Sequence, residues 1–315
     1  MKTHPYVMSL ILAGAMVGAA WGGEGTKKIL LIAGRGSHGF GSHAYKAACM
    51  LLAKQLNAAK CGVEAIPHHG WPEDPKALDD AAAVFLCCDG GASRLVGGHV
   101  DAMDKLVARG GGVGCLHYTL AEPVGPKADR LRHWIGGAYE THWSVNPSWE
   151  AHFTQFPDHP VARGVKPFRI FDEWYYHMRF QPEMKGVTPI LSAVPPDRTR
   201  KGKDGAHSGN PHVRARMGKA EHVAWVYERP GGGRGFGFTG AHFHWNFGND
   251  GFRTVLLNAL VWIAGADVPK GGVPSTTPTV DELLANQDAP APANLNRGAL
   301  EKMIRDWKKP PTPAK

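Results

Sequence analysis

The chain has 315 residues, 43% of them hydrophobic and 20% charged, an ordinary globular composition for one large domain or two small ones. Its formal net charge of +8 is scattered rather than blocked, and no zinc-finger, helix-turn-helix or aromatic RNA-binding pattern occurs, so nucleic acid is not an expected partner. Five cysteines without a repeating spacing exclude a disulfide framework, although a single Cys49–Cys61 bridge is compatible with an oxidising compartment.

In chain order, residues 1–22 read as a signal peptide: one lysine, an apolar segment from Tyr6 to about Ala20, then small residues suited to cleavage. The segment is short for a spanning helix, which needs about 20 apolar residues, and no cysteine sits where a lipoprotein anchor would need one. The expected location is exported, periplasmic or secreted, with no integral span after cleavage; an uncleaved anchor is the alternative. Ile29–Ala33 is a compact apolar run followed by a glycine-rich loop and helical spacing from Ala44 to Leu56, hence strand, loop, helix. "VEAIPHHG" reads as a second strand, "AAAVFLCCDGG" as a third and, after a helix and a glycine stop, "GGGVGCLHY" as a fourth. Buried apolar strands alternating with amphipathic helices predict an α/β fold, a parallel sheet covered on both faces.

From Trp134 to about Ala220 the pattern loosens into short strands and long loops rich in Trp, His and Pro. The basic stretch Asp197–Lys219 lies here and reads as a solvated loop, with attraction of anionic sugars as the second reading. Two strands then flank a Pro-Gly turn in "HVAWVYERPGGGRGFGF", and "FRTVLLNALVWIAG" is a strong amphipathic helix. The domain extends over residues 27–266. Residues 267–315 form a Pro/Ala-rich extension with short helical pieces near Val280–Ala285 and Leu300–Trp307.

Ligands of parallel sheets collect at the carboxyl ends of the strands, and there the chain carries His38, Asp89 and His117. The glycines around His38 do not have nucleotide-fingerprint spacing. His43, at the start of a helix, is expected to face solvent. Asp172 and Glu173 stand among aromatic residues, where a carboxylate is costly unless paired or metal-bound. His242 and His244 share a face if their strand continues. Neutral imidazoles with one carboxylate suit a divalent metal, zinc in particular, so His117, Glu173 and His242 are the expected ligands. The expected acid–base residue is His38, Asp89 or His142.

The segments "KKILLIAGRGSHG", "GGGVGCLHYTLA", "IGGAYETHW", "HPVARGV", "FDEWYY", "HVAWVYERPGGGRGFGFTGAHFHWNF" and "LLNALVWIAG" occur in the order seen in ThuA-like (trehalose utilisation) proteins, and the chain resembles that family from about Lys27 to Ala266. The resemblance implies a flavodoxin-like sheet related to class I glutamine amidotransferases, with a loop-rich insertion. It also implies carbohydrate processing, often alongside sugar oxidoreductases, with zinc in some relatives. By the same resemblance His117, His142, His159-Pro160, Asp172-Glu173 and His242 match the family's motifs. Ala241 departs from the usual glycine and His244 is an extra histidine.

The leading expectation is an exported metal-dependent lyase, hydrolase or isomerase acting on an oxidised (3-keto) sugar or glycoside. Its partner is then a small-molecule carbohydrate, and a homo-oligomer is compatible with the chain. Two alternatives stand beside it. One is an amidotransferase-like hydrolase with Cys115 as nucleophile, although "GVGCLHY" lacks the small residue an elbow needs two places on. The other is a non-catalytic sugar-binding module using loop tryptophans at 134, 143, 149 and 174.

Overall fold

The computed structural model describes residues 25–309, so the expected signal peptide lies outside the described residues. The strands are β1 (Lys27–Ala33), β2 (Val63–His69), β3 (Ala83–Cys87), β4 (Gly112–Leu116), β5 (Gly137–Ala138), β6 (Ser148–Phe153), β7 (Phe168–Glu173), β8 (Arg179–Phe180), β9 (Val187–Ala193), β10 (Glu221–Glu228) and β11 (Arg234–Phe238). The helices are α1 (Tyr45–Ala59), α2 (Ala92–Val96), α3 (Val100–Ala108), α4 (Pro126–Ile135), α5 (Pro211–Arg214), α6 (Asp250–Ile263), α7 (Val280–Leu284) and α8 (Arg297–Trp307).

Seven strands form one sheet in the order β2-β1-β3-β4-β11-β10-β9. The first five run parallel to their neighbours, as continuous apolar runs such as Ala83–Cys87 require when both faces are covered. β10 and β9 complete the sheet antiparallel, so it is mixed rather than purely parallel. The Pro-Gly turn explains this: it joins β10 to β11 as a hairpin, which leaves β11 parallel to β4. One core packs β1 and β3 side chains against α1 and α6, and the other packs the opposite face against α3 and α4.

The loop-rich insertion contains a two-stranded antiparallel ribbon, β6 with β7, whose inner face is buried and whose outer face is exposed. Trp134, in α4, Trp149, in β6, and Trp174, just after β7, are buried, which corrects the reading of them as loop sugar platforms: large aromatic surfaces there supply local core. The C-terminal extension packs along α1 and α6. Gln55 exchanges two hydrogen bonds with the backbone of Thr276, Asn258 Oδ1 accepts from Val273 N at 2.8 Å, and a Thr279–Glu282 capping box starts α7. All five cysteines are free, so no Cys49–Cys61 bridge forms. Among the described residues no helix is long and apolar enough to cross a membrane.

Candidate metal centre

Four adjacent central strands, β1, β3, β4 and β11, end on the same edge of the sheet, and the segment after each delivers at least one polar group to that edge. The loop after β1 brings His38 and His43, β3 is followed by Asp89, β4 by His117, and β11 by the segment Thr239–His242. Glu173 arrives from outside the sheet, at the end of β7.

Ligand atoms of His43, His117, Glu173 and His242 all lie within 4.8 Å of one another. His43 Nε2 is 3.1 Å from His117 Nε2 and 2.9 Å from His242 Nδ1. Glu173 Oε2 is 3.4 Å from His117 Nε2 and 3.2 Å from His242 Nδ1. Four donors around a tetrahedral zinc with bonds of about 2.0–2.1 Å would be spaced about 3.3 Å apart, close to these separations.

The remaining ring nitrogens sharpen the point. His117 Nδ1 lies 2.7 Å from the Thr239 carbonyl oxygen, which only accepts, so Nδ1 carries a proton and Nε2 is the nitrogen turned to the centre. His43 Nδ1 lies 2.5 Å from Asp89 Oδ1. Burial of the carboxyl opposes its ionisation, but His43, Ser37 and Tyr45 together hold it well below the ordinary carboxylate range. His43 Nδ1 is therefore the donor. Burial pushes the His43 imidazole down to about 4 against the pull of Asp89, leaving it neutral with its Nε2 bare. Two imidazole nitrogens facing at 3.1 Å are held together by a proton or a cation between them. A histidine whose far nitrogen donates to a carboxylate or carbonyl is also the arrangement that orients metal-binding imidazoles. For Glu173, burial opposes ionisation, but His117 and His242 hold the carboxyl down at about 2. The donor set therefore fits a divalent metal, and these four residues could hold one.

The backbone delivers the rings at some cost. His43, His117 and Ala241 have φ of 48°, 53° and 82°, where residues other than glycine are strained. Two devices hold them. The first is a short backbone zipper: His43 N donates to His242 O, and His244 N donates to Gly41 O. The second is Asp172, fully buried, whose carboxylate accepts from Ala241 N at 2.6 Å, His242 N at 3.1 Å and Phe243 N at 3.3 Å. Three successive N–H groups curled around one carboxylate make an anion nest. Burial pushes the Asp172 carboxyl above its ordinary value while His117 and these donors pull the other way.

Several expectations change here. His43, expected at the surface, is 2% exposed and central, because its positive φ turns the side chain inward before α1 begins. The doubled tripeptide Gly36-Ser37-His38 and Gly41-Ser42-His43 was the available signal, since both histidines reach the site. His142 is exposed and lies outside the convergent group; its N–H instead bonds Ala206 O. His244 does not share a face with His242, because β11 ends at Phe238 and His244 sits in a short 3-10 turn, buried without a partner for either ring nitrogen. Cys115 is fully buried within β4, and burial pushes its thiol far above the usual range, so it is no accessible nucleophile. His38 does reach the site: its ring is 3.7 Å from that of His43, its side chain is 42% exposed, and its Nδ1 is 3.8 Å from Asp89 Oδ2. Tyr175, unremarked in the sequence, places its hydroxyl 3.3 Å from His117 Nε2.

Residues 28–263 match the ThuA family, described as trehalose utilisation. The chain belongs to the ThuA family. Among solved structures, a ThuA-like protein from Parabacteroides merdae is 18% identical with a TM-score of 0.52, covering 78% of this chain and 92% of its own. A ThuA-like protein from Bacteroides uniformis is 16% identical with a TM-score of 0.51, covering 78% and 94%. At these identities the likeness concerns the fold. No curated protein matches the chain. Within this ThuA chain the matched span holds all four convergent residues, and the extension after α6 falls beyond it.

Proposed function

We propose that this ThuA-family protein is an exported, metal-dependent enzyme that removes the proton beside the ketone of an oxidised (3-keto) sugar or glycoside. That step is shared by elimination of the glycosidic oxygen and by isomerisation. The observation that carries the proposal is the pair of imidazole Nε2 atoms 3.1 Å apart, closed by Glu173 and His242 into a four-donor group. A divalent cation held by three of these donors, zinc being suited to them, would keep a position open and would supply a Lewis acid toward the ketone oxygen.

The rest of the chemistry belongs to the chain. His38, exposed at the rim and packed against His43, is placed to accept the proton from the carbon next to the carbonyl. Asp89, held ionised, lies close enough to steady the imidazolium that forms. As that C–H bond breaks, its electrons form a C=C bond, the C–O bond to the leaving group breaks, and the departing oxygen takes up a proton. Tyr175 keeps its phenolic proton, because burial and the neighbouring Glu173 both raise it far above its ordinary value. It therefore remains a donor at the centre. Export is proposed from residues 1–22 alone.

Metal analysis of purified protein together with turnover assays tests the reading. Wild type is expected to hold stoichiometric divalent metal, His117→Ala to lose it, and 3-keto glycosides to turn over while the unoxidised glycosides do not. Full turnover by metal-free wild type refutes the metal-dependent mechanism. Sugar binding without turnover of any keto-glycoside leaves a binding module in its place.

A further inference from the structure

Glu173 is the last residue of β7, and side chains alternate along a strand. Phe171 therefore stands on the same face, about 7 Å back along the ribbon. That face is the solvent-facing one, since Phe168, Ile170 and Asp172 point inward. Phe171 is 49% exposed and is the one aromatic side chain among the large exposed hydrophobics of the described residues.

The ring is not isolated. It lies 6.0 Å from that of Phe243 and within 24° of parallel, and Phe243 in turn abuts the His242 ring at 4.6 Å. The two phenylalanines thus flank Glu173 and His242 and continue the centre outward. Both are anchored by backbone: Asn246 Nδ2 donates to Phe171 O at 3.0 Å, and Phe243 N donates to Asp172. Across the ribbon, the register sets the exposed Glu150 opposite Phe171. An aromatic shelf edged by a carboxylate suits a pyranose ring, which presents apolar C–H faces and a rim of hydroxyls. The shelf begins about 7 Å from Glu173 along the ribbon, just outside the centre.

We infer that Phe171 and Phe243 form the subsite for the ring on the leaving side of the glycosidic bond, and that Phe171 sets the preference for glycosides carrying such a ring. The inference rests on the carbohydrate reading above. The substrate class is then a keto-disaccharide or a glycoside with a ring-shaped leaving group, rather than a free keto-sugar.

Phe171→Ala separates the possibilities when assayed on a 3-keto-disaccharide and on a methyl 3-keto-glycoside, whose leaving group is too small to reach the shelf. Loss of roughly 50 Å² of apolar contact is expected to raise KM for the disaccharide about ten-fold, with kcat and both constants for the methyl glycoside within about two-fold of wild type. Phe171→Tyr, which keeps the ring, is expected to restore KM. An unchanged KM for the disaccharide, or equal rises for both substrates, overturns the subsite. So does a change of oligomeric state in sedimentation with unaltered KM, which would make the shelf a contact between copies of the chain. If no substrate turns over, calorimetry with the unoxidised disaccharide decides: a binding constant about ten-fold weaker in Phe171→Ala supports the shelf, and an unchanged one overturns it.

Discussion

Replacing Asp172 by asparagine probes how the candidate centre is held without touching a convergent side chain. Its two oxygens accept from opposite sides: Oδ2 from Ala241 N at 2.6 Å, and Oδ1 from His242 N, Phe243 N and Glu173 N. An amide can present oxygen to only one side and must turn an NH2 group toward N–H donors on the other. Each buried N–H left without an acceptor costs about 1–3 kcal/mol, and the surviving bonds lose their charge assistance. Relaxation of the strained Ala241, at φ 82°, returns part of that cost but carries His242 away from His43. We expect a net loss of about 3 kcal/mol in stability and a 10–100-fold loss of metal affinity, the usual range for residues that orient ligands. The assay is urea unfolding in excess chelator, so that lost metal binding does not register as lost folding energy, followed by competitive zinc titration of the folded protein. A variant within about 0.5 kcal/mol of wild type that also keeps full metal affinity refutes the positioning role of Asp172.

Ala241→Gly is expected to raise stability by up to about 1 kcal/mol, because glycine adopts φ 82° without strain, and a thermal or urea midpoint at or below wild type counts against it. Gln287 Oε1 accepts from Gly41 N at 3.1 Å, tying the C-terminal extension to the loop that carries His43. Gln287→Ala should cost about 1 kcal/mol and weaken metal binding several-fold, and metal titration showing no change would separate the extension from the centre. Glu221 gives a pH signature away from the centre: burial opposes its ionisation, but His177, the fully buried Arg200 and Arg216 outweigh it and hold the carboxyl down at about 2. A depressed carboxyl contributes stability that is full above its unfolded value of about 4.5 and disappears as pH falls toward 2, about 3 kcal/mol in all. Glu221→Gln should therefore be less stable than wild type at pH 7 and converge with it on acidification; a constant gap between the two denaturation curves would contradict this.

Local pattern carried much of the fold. The apolar runs at Ile29–Ala33, Ala83–Cys87 and Gly112–Leu116 have no polar face, so they can only be strands buried on both sides, and the intervening amphipathic segments can only cover them. From there the rule that ligands gather at strand carboxyl ends pointed to His38, Asp89 and His117. The rule does not extend to the insertion, where no regular period ties residue type to position. Hence His142 looked equivalent to the others although it is exposed on a turn, and buried tryptophans looked like loop platforms.

Residue types and their order thus determined the α/β sheet, the family and most of the candidate donors, because these depend on hydrophobic period and on chemistry near strand ends. Tertiary structure alone decided which donors meet. His43 is turned inward by a single positive φ, a backbone choice that the repeated Gly-Ser-His tripeptide alone does not specify. Glu173 reaches His117 across 56 positions of chain only because β7 packs beside the sheet, while Asp172, its neighbour in sequence, faces the other way and holds the backbone instead. Alternation along one strand assigned the two carboxylates opposite tasks, and only the packed ribbon determines which face meets the histidines.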